Sequence, residues 1–139
     1  MKFLHTMVRV KDLDKSLDFY CNLLGLKENR RTVYEEWKCT LIYLGAPNNP
    51  EAEIELTYNW DAEDYTIGRA FGHLAFEVDN IYTTCERLLK AGIEINVPPR
   101  DGWMAFVRSP DDISIELLQK DKPLKPQAPW SEMENIGWW

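Results

Sequence analysis

Residues 5–25 read HTMVRVKDLDKSLDFYCNLLG, and residues 73–92 read HLAFEVDNIYTTCERLLKAG. Each stretch begins with a histidine, alternates apolar and polar residues as a strand does, continues with apolar residues at helical spacing, and ends at a glycine. Further along the chain, each is followed by Ile-Glu-Leu, at 54–56 and again at 115–117. The chain is therefore predicted to contain one structural unit twice.

The first unit, over about residues 1–60, is predicted to fold as βαβββ. A strand over 2–10 leads into a helix from Asp12 to Leu24, with an aspartate cap at its start and Gly25 at its end. A helix is expected to cover one face of the sheet, because apolar and polar residues alternate along the strands. The later strands are predicted near 26–34, 38–45 and 52–59, with a turn at 47–50.

The second unit, over about residues 72–119, repeats this order. A strand that starts near 73 leads into a helix near 80–91, which ends at Gly92. Further strands are predicted near 93–97, 103–108 and 113–119. The predicted fold class is α+β, with a single domain over residues 1–120 that is built from two βαβββ modules.

Residues 121–139 depart from the repeat and are predicted to form a separate C-terminal arm. A continuing strand or helix is excluded by three prolines, Pro123, Pro126 and Pro129. A disordered tail is usually poor in aromatic residues, whereas this one contains Trp130, Trp138 and Trp139. We expect the arm to dock on the body of the protein or on a partner subunit.

Composition excludes several classes of protein. The net charge is −7 with no lysine or arginine stripe, so nucleic acid is not an expected partner. No run approaches the roughly 20 apolar residues of a membrane-spanning helix, and the first residues do not resemble a secretory signal. Three cysteines without paired spacing indicate free thiols in a reducing compartment. The expected location is the cytoplasm.

Strand alternation also places four polar residues on the face away from the large apolar residues: His5, Glu55, His73 and Glu116. A glutamate between two aliphatic residues is, by itself, usually the solvent-facing half of a strand. A lone histidine is likewise more often structural than a ligand. Their recurrence at equivalent places in both units predicts a shared metal site instead.

Two imidazoles and two carboxylates are ligands that suit Zn²⁺, Ni²⁺, Co²⁺, Mn²⁺ or Fe²⁺. Four protein ligands on a six-coordinate ion leave two positions for water or substrate oxygens, which is typical of a catalytic site rather than a structural one. The fourth ligand disfavours an iron oxygenase, because those enzymes use two histidines and one carboxylate.

Several motifs together resemble one known family. They are HTMVRVKD at 5–12, LGL at 24–26, IELTYNW at 54–60, AFV at 105–107, SPD at 109–111 and IEL at 115–117. Over about residues 1–120 the chain is similar to the vicinal oxygen chelate superfamily and, within it, to the lactoylglutathione lyases (glyoxalase I) of bacterial type.

The resemblance implies a homodimer with metal sites shared between subunits. His5 and Glu55 of one chain would bind the ion together with His73 and Glu116 of the other. The chain is short and lacks the extra segments of zinc-type relatives. This similarity favours Ni²⁺ as the cofactor, with Co²⁺ or Zn²⁺ as alternatives.

The resemblance also implies a reaction, the conversion of the methylglyoxal–glutathione hemithioacetal into S-lactoylglutathione, with glutathione as co-substrate. Glu116 is the expected base for the carbon-bound proton, and Glu55 is its partner for the return of that proton. Two alternatives stay open. One is another metalloenzyme of the superfamily, a thiol transferase or a dioxygenase, and the other is a small-molecule binding protein.

Four further residues are predicted to bind the substrate, because glutathione carries carboxylates. Arg9 and Asn59 share strand faces with the first histidine and the first glutamate, and Arg69 lies shortly before the second histidine. All three match positions that the family uses. Relatives also have a longer, lysine-bearing and glycine-rich stretch before the Ala-Phe-Val strand, and Arg100 is the candidate to replace it here.

Overall fold

The computed structural model describes residues 1–61 and 63–138. The chain divides into two compact units, one from Met1 to Thr66 and the other from Ile67 onward. In the described residues the strands form two four-stranded sheets, one in each unit. No helix in these ranges is long and apolar enough to cross a membrane.

The first unit places its histidine strand beside its glutamate strand. Its sheet has the order β1-β4-β3-β2, with β1 parallel to β4 and the other neighbours antiparallel. The elements are β1 (His5–Arg9), α1 (Leu13–Leu17), a π-helical segment (Asp18–Leu23), β2 (Lys27–Tyr34), β3 (Cys39–Ala46) and β4 (Asn49–Asn59). Strands β1, β3 and β4 carry buried apolar residues, among them Val8, Ile42, Leu44, Ile54 and Leu56, whereas β2 is exposed.

The helix of the first unit begins where the sequence predicts. The carboxylate of Asp12 caps it by accepting a hydrogen bond from the amide of Lys15 at 3.1 Å. Its second half is π-helical, and the amide of Leu24 donates to the carbonyl of Phe19 at 3.0 Å. This wider turn accommodates an extra residue, and the adjacent Phe19 and Tyr20 are both buried.

The second unit repeats the topology of the first. Its sheet has the order β5-β8-β7-β6, and β5 runs parallel to β8. The elements are β5 (Leu74–Val78), α2 (Ile81–Lys90), β6 (Ile95–Val97), β7 (Met104–Arg108) and β8 (Ser114–Gln119). The side chain of Asn80 caps α2 by accepting from the amide of Thr83 at 3.1 Å. Gly92 follows the helix at φ +84°, a conformation that favours glycine.

Residues 121–138 form the C-terminal arm, which packs on the helix and sheet of the second unit. The indole of Trp130, which is 1% exposed, stacks on the ring of Tyr82 with 19° between the planes. The hydroxyl of Tyr82 donates to the carbonyl of Lys125 at 3.1 Å. Farther along, the amide of Ile136 donates to the carbonyl of Asn96, in edge strand β6, at 3.1 Å. The arm therefore contributes a buried tryptophan and covers part of the sheet edge.

The predicted α+β class with two βαβββ modules is confirmed. The differences lie at the ends of strands. The first strand begins at His5 rather than at residue 2, and β6 is confined to Ile95–Val97. Strand β4 begins at Asn49 rather than at 52, because Asn49 already pairs with Ala46 across a short turn.

Candidate metal centre

His5 and Glu55 form a close pair in the first unit. Nε2 of His5 lies 3.0 Å from Oε2 of Glu55. The register of β1 and β4 sets Met7 opposite Glu55, so the histidine two residues earlier shares the face of that glutamate. The side chain of His5 is 33% exposed and that of Glu55 is 10% exposed. The imidazole is therefore reachable, while the carboxylate is mostly covered.

His73 and Glu116 form the matching pair in the second unit. Nε2 of His73 lies 3.1 Å from Oε2 of Glu116, and the side chains are 33% and 16% exposed. Here Ala75, again two residues after the histidine, stands opposite the glutamate in the parallel ladder. The repeat predicted from the sequence therefore reproduces both the register and the distance between the two side chains.

Both pairs have the spacing of neighbouring ligands on one divalent ion. Imidazole nitrogen and carboxylate oxygen bind such ions at about 2.0–2.2 Å, so two of them at a right angle stand about 3 Å apart. The observed distances of 3.0 and 3.1 Å agree with this geometry. Among residues 1–61 and 63–138, no group of three or more His, Cys, Asp or Glu is placed to hold an ion. Each pair therefore fits one half of a metal centre.

The carboxylate of Glu55 also accepts a hydrogen bond from a hydroxyl group. Oγ1 of Thr57 donates to Oε1 of Glu55 at 3.0 Å. Tyr43 lies directly opposite Glu55 on the neighbouring strand β3. Burial, and then the nearby Glu55 carboxylate, raise the pKa of Tyr43. The ring of Tyr43 also packs edge-on against His5, with 5.6 Å between the ring centroids.

Arg30 holds the ring of Tyr43 in place. The guanidinium carbon of Arg30 lies 3.3 Å from the centre of that ring, in a cation–π contact. Its Nη2 is 2.8 Å from Oε2 of Glu53, and the amide of Asn29 donates to Oε1 of the same glutamate at 3.1 Å. These contacts leave the tyrosine little freedom to turn away from the His–Glu pair.

Phe106 occupies the equivalent place beside Glu116. It stands opposite Glu116 in the ladder of β7 and β8. Its ring packs edge-on against His73 with 5.4 Å between the centroids, at the same 76° as in the first unit. Phenylalanine has no hydroxyl to donate. Within the described part of the chain, His73 is the side chain that pairs with the Glu116 carboxylate.

The predictions from the sequence did not include Tyr43, Thr57 or Phe106. Thr57 carried a usable signal, because it lies two residues after Glu55 and therefore on the same strand face. The two aromatic residues belong to neighbouring antiparallel strands, and their place opposite the glutamates follows from the register of the hairpins. That register depends on the turns, which the sequence patterns located only approximately.

The predicted substrate-binding residues of the first unit lie near its His–Glu pair along the strands. Arg9 ends strand β1 on the face of His5, is exposed, and stands opposite Thr57. Asn59 ends strand β4 on the face of Glu55, and its amide donates to the hydroxyl of Tyr65 at 3.1 Å. A basic group and an amide are thus positioned at the ends of the two ligand-bearing strands.

The two other predicted substrate-binding residues belong to the second unit. Arg69 is exposed in the segment before His73. Nη1 of Arg100 donates to the carbonyl of Met133 at 3.0 Å and to Oδ1 of Asn135 at 2.7 Å, both in the arm. These contacts use one nitrogen of the guanidinium and help to attach the arm, and the substrate-binding role of Arg100 stays a prediction.

The cysteines have the properties of inert thiols. Cys39 and Cys85 are buried, and burial raises the pKa of Cys85 to about 12. Burial likewise raises the pKa of Cys21. A thiol that stays protonated is a poor nucleophile and a poor metal ligand. The chemistry of the candidate site therefore falls to the imidazoles and carboxylates.

Comparison with known proteins gives consistent matches. The model of the Glyoxalase/Bleomycin resistance protein/Dioxygenase superfamily matches residues 2–130, a range that contains both His–Glu pairs. The lactoylglutathione lyase of Neisseria meningitidis (serogroup A) is 45% identical over 126 residues, which are 86% of this chain and 91% of that protein. The lactoylglutathione lyase of Salmonella typhimurium is 44% identical over 125 residues, 86% of this chain and 93% of that protein.

Solved structures agree with these relatives. The trypanothione-dependent glyoxalase I of Leishmania major superposes with a TM-score of 0.80 and 39% identity, and the match covers 86% of this chain and 87% of that one. The family resemblance predicted from the sequence is therefore confirmed.

Proposed function

The chain belongs to the Glyoxalase/Bleomycin resistance protein/Dioxygenase superfamily, and on that premise we propose that it is a metal-dependent lactoylglutathione lyase. Its substrate would be the hemithioacetal that methylglyoxal and glutathione form without an enzyme, and its product S-lactoylglutathione. The sequence predicted a lactoylglutathione lyase, and relatives that are 45% and 44% identical to this chain carry that name.

The observation that carries the proposal is the duplicated His–Glu pair. Two pairs with the same ligand atoms, at 3.0 and 3.1 Å, lie at equivalent registers of two equivalent sheets. One such pair alone is an ordinary polar contact between neighbouring strands. Two matched pairs would supply four nitrogen and oxygen ligands, a set that suits a divalent ion with open coordination positions.

The residues of the chain divide the chemistry between them. An ion held by His5, Glu55, His73 and Glu116 would supply Lewis acidity that stabilises the negative charge of an enediolate. The Glu116 carboxylate would accept the proton from the hydroxyl-bearing carbon of the hemithioacetal. Glu55 would serve in returning a proton to the adjacent carbon, and the hydroxyl proton would pass from the first oxygen to the second, so that the hemithioacetal becomes a 2-hydroxy thioester of the same composition.

A complete site calls for two chains in this proposal. Each unit contributes two ligands, and in the described ranges no third ligand joins either pair. A homodimer with twofold symmetry would combine His5 and Glu55 of one chain with His73 and Glu116 of the other, and would do so twice. Nitrogen and oxygen ligands suit several divalent ions. The resemblance to the nickel- or cobalt-activated class favours Ni²⁺, with Co²⁺ or Zn²⁺ as alternatives.

Arg9, Asn59 and Arg69 are the residues we assign to the thiol part of the substrate. Glutathione carries two carboxylates, and a protein of net charge −7 must attract them with local basic groups. Arg9 and Arg69 are exposed and able to do so. Free thiols at Cys21, Cys39 and Cys85 suit a reducing compartment, which supports a cytoplasmic location.

The activity can be tested on metal-free protein. A chelator first removes any metal, and Ni²⁺, Co²⁺ or Zn²⁺ is then added to separate samples. Each sample is assayed with methylglyoxal and glutathione by following the ultraviolet absorbance of the thioester product. We expect no turnover without metal and the highest turnover with Ni²⁺. Absence of turnover with every metal would refute the lyase, and a higher rate with Zn²⁺ would refute the preference for nickel.

Mixing two inactive variants tests the shared site. His5→Ala and His73→Ala should each be inactive alone, because every site of either homodimer lacks one ligand. A dimer that contains one chain of each kind has one site with both substitutions and one intact site. Random mixing makes about half of the dimers mixed, so about a quarter of the normal activity should return. A mixture that stays inactive indicates sites within single chains.

A further inference from the structure

A buried threonine lies beside Glu55, and a leucine takes its place in the second module. Oγ1 of Thr57 donates to Oε1 of Glu55 at 3.0 Å, and both residues are buried. Thr57 follows Glu55 by two positions on β4, so both side chains lie on one strand face. Two positions after Glu116 on β8 stands Leu118, whose side chain has no hydrogen-bond donor. The two half-sites therefore differ by a hydroxyl group at this position.

The two oxygens of the Glu55 carboxylate have different partners. Nε2 of His5 lies 3.0 Å from Oε2, whereas the hydroxyl of Thr57 donates to Oε1. The last torsion of a glutamate side chain has a broad, two-fold profile, so rotation readily exchanges the two oxygens. A hydrogen bond from a buried hydroxyl to one of them opposes that rotation, because the bond to a charged acceptor would be lost. Oε2 therefore stays beside the imidazole nitrogen, at the spacing of neighbouring metal ligands.

We propose that Thr57 is a positioning residue that presents Glu55 to the metal through Oε2. The proposal rests on the proposed metal-dependent lyase, because it concerns an ion bound at the His–Glu pairs. Groups that hydrogen-bond to a metal ligand fix its orientation and raise the affinity of the site. With Oε1 held by the hydroxyl, Glu55 contributes one oxygen rather than two, which keeps coordination positions open for substrate oxygens.

The second module has a different arrangement at the same place. In the described part of the chain, His73 is the side chain that pairs with the Glu116 carboxylate, at 3.1 Å, and the neighbouring Leu118 is a hydrocarbon. The orientation of Glu116 then depends on its imidazole neighbour and, in the loaded site, on the ion itself. Loss of the Thr57 hydroxyl should give the first half-site this less restrained arrangement.

Variants that separate the hydroxyl from the rest of the side chain test the proposal. Thr57→Val replaces the hydroxyl by a methyl group of similar size, and Thr57→Ser keeps the hydroxyl. Ni²⁺ dissociation constants would be measured by calorimetry on metal-free protein. We expect Thr57→Val to bind Ni²⁺ about 10-fold more weakly, as is usual when a group that orients a ligand is removed, and Thr57→Ser to stay within about 2-fold of the wild type.

Thr40→Val is the matched control. Thr40 is also buried in this sheet, and its hydroxyl accepts a hydrogen bond from Nε1 of Trp60 at 3.0 Å. It stands on β3 opposite Tyr58, on the strand face away from Glu55. The control therefore loses a hydrogen bond of the same length without touching the proposed site, and its Ni²⁺ affinity should equal that of the wild type.

The visible absorption of bound Co²⁺ gives a second measurement, which does not depend on affinity. Its bands respond to the number and arrangement of the ligand atoms. At saturating Co²⁺, Thr57→Val should alter the spectrum, because Glu55 is then free to turn and to offer both oxygens. Thr57→Ser and Thr40→Val should reproduce the spectrum of the wild type. An unchanged spectrum in Thr57→Val would contradict coordination through one fixed oxygen.

The calorimetric comparison decides the role of Thr57. Wild-type Ni²⁺ affinity in Thr57→Val overturns the proposal, and so does an equal loss in Thr57→Ser, which would assign the effect to packing. If Thr57→Val does not fold, Thr57→Ala replaces it, since alanine and serine differ by the hydroxyl alone. A wild-type protein that binds Ni²⁺ but lacks lyase activity would contradict the proposed function, whereas unchanged affinity in an active Thr57→Val would contradict the role of Thr57 alone.

Discussion

The two modules keep the same strand register and the same His–Glu spacing, yet they differ in almost everything around that frame. The first has a helix that turns π-helical and an edge strand, β2, whose eight residues are all exposed. The second has a regular ten-residue helix and a sheet edge partly covered by the C-terminal arm. The two modules therefore share the strand register that positions the His–Glu pairs, and differ in the helices and sheet edges around it.

The largest expected difference between the modules is catalytic. Glu116→Gln should lower kcat by about 10²–10⁴-fold, because it removes the proposed base while the fold stays intact. Glu55→Gln should weaken metal binding, since this carboxylate is held by His5 and Thr57. It should also lower kcat, by a smaller factor, because the proposed return of the proton is lost. Steady-state kinetics at increasing Ni²⁺ would separate the two effects. Full activity in Glu116→Gln, or identical behaviour of both variants, would remove the distinction between the glutamates.

The next largest difference is expected in the loss of stability when a tryptophan is replaced, because the second module has a buried one and the first an exposed one. Trp130→Ala removes a side chain that is 1% exposed and should cost about 3–5 kcal/mol of unfolding free energy. Trp37 is 71% exposed, so Trp37→Ala should change the free energy of unfolding by less than about 0.5 kcal/mol. Chemical denaturation gives both values. Equal effects would show that the arm adds no stability to the second unit.

Trp130→Phe refines that experiment. Within the described residues, the buried Nε1 of Trp130 has no hydrogen-bond partner, and phenylalanine removes this polar group while keeping a ring beside Tyr82. Trp130→Phe should therefore lower the free energy of unfolding clearly less than Trp130→Ala does. If both variants lose the same stability, the contact with Tyr82 contributes little.

A glycine substitution tests how closely the arm approaches the second sheet. A Cβ at Gly102 would stand 2.1 Å from the carbonyl oxygen of Leu124, in addition to the strain of its φ of +73°. Gly92 has a similar φ of +84° but open space around its Cβ position, so Gly92→Ala should cost about 1–2 kcal/mol from strain alone. Gly102→Ala should cost more and should expose the arm to protease. If Gly102→Ala and Gly92→Ala had equal stability and equal rates of cleavage, the close approach of the arm to Gly102 would be contradicted.

The smallest expected difference concerns the two helix caps in acid. The hydrogen bond from the Lys15 amide is the main cause that lowers the pKa of Asp12. A lowered pKa means that this cap stabilises the fold above the ordinary aspartate pKa and is lost as the pH falls through the lowered value. The cap of α2 is Asn80, which does not titrate in this range. Acid should therefore loosen the first helix before the second.

Asp12→Asn would test that difference by making the first cap resemble the second. Hydrogen exchange of the helix amides at decreasing pH should show an acid-dependent loss of protection in the wild type near residues 13–16. The variant should lack that dependence, and the helix over 81–84 should serve as the internal reference. The same acid response in both proteins would mean that Asp12 is not its cause.

Sequence reasoning located the ligand candidates because their signals are local. Alternation along a strand assigns His5 and Glu55 to one face regardless of what surrounds them, and recurrence in the second module makes the assignment specific. The aspartate cap of the first helix and the glycines that end both helices were equally local. These features depend on neighbours within a few residues, and the structure agrees with them.

Features that depend on distant residues were not predicted. The sequence predicted one regular helix as far as Leu24, whereas Asp18–Leu23 is π-helical. Tyr43 stands opposite Glu55 only through the register of β3 and β4. The contacts of Arg100 with Met133 and Asn135 require the folded arm. The metal-ligand, base and substrate-binding assignments themselves stay predictions until the variants above are measured.

The exposed edge of the first sheet has a consequence for how the protein behaves when concentrated. Strand β2 presents unpaired backbone groups, which in many proteins recruit a strand of another molecule and start aggregation. Here its side chains include Lys27, Glu28, Arg30 and Arg31. Three of these four charges are in ion pairs, Arg30 with Glu53 and Arg31 with Glu28. Such a charged border makes stacking of neighbouring molecules unfavourable, so stocks should remain clear, whereas neutral residues at these places would invite fibrils.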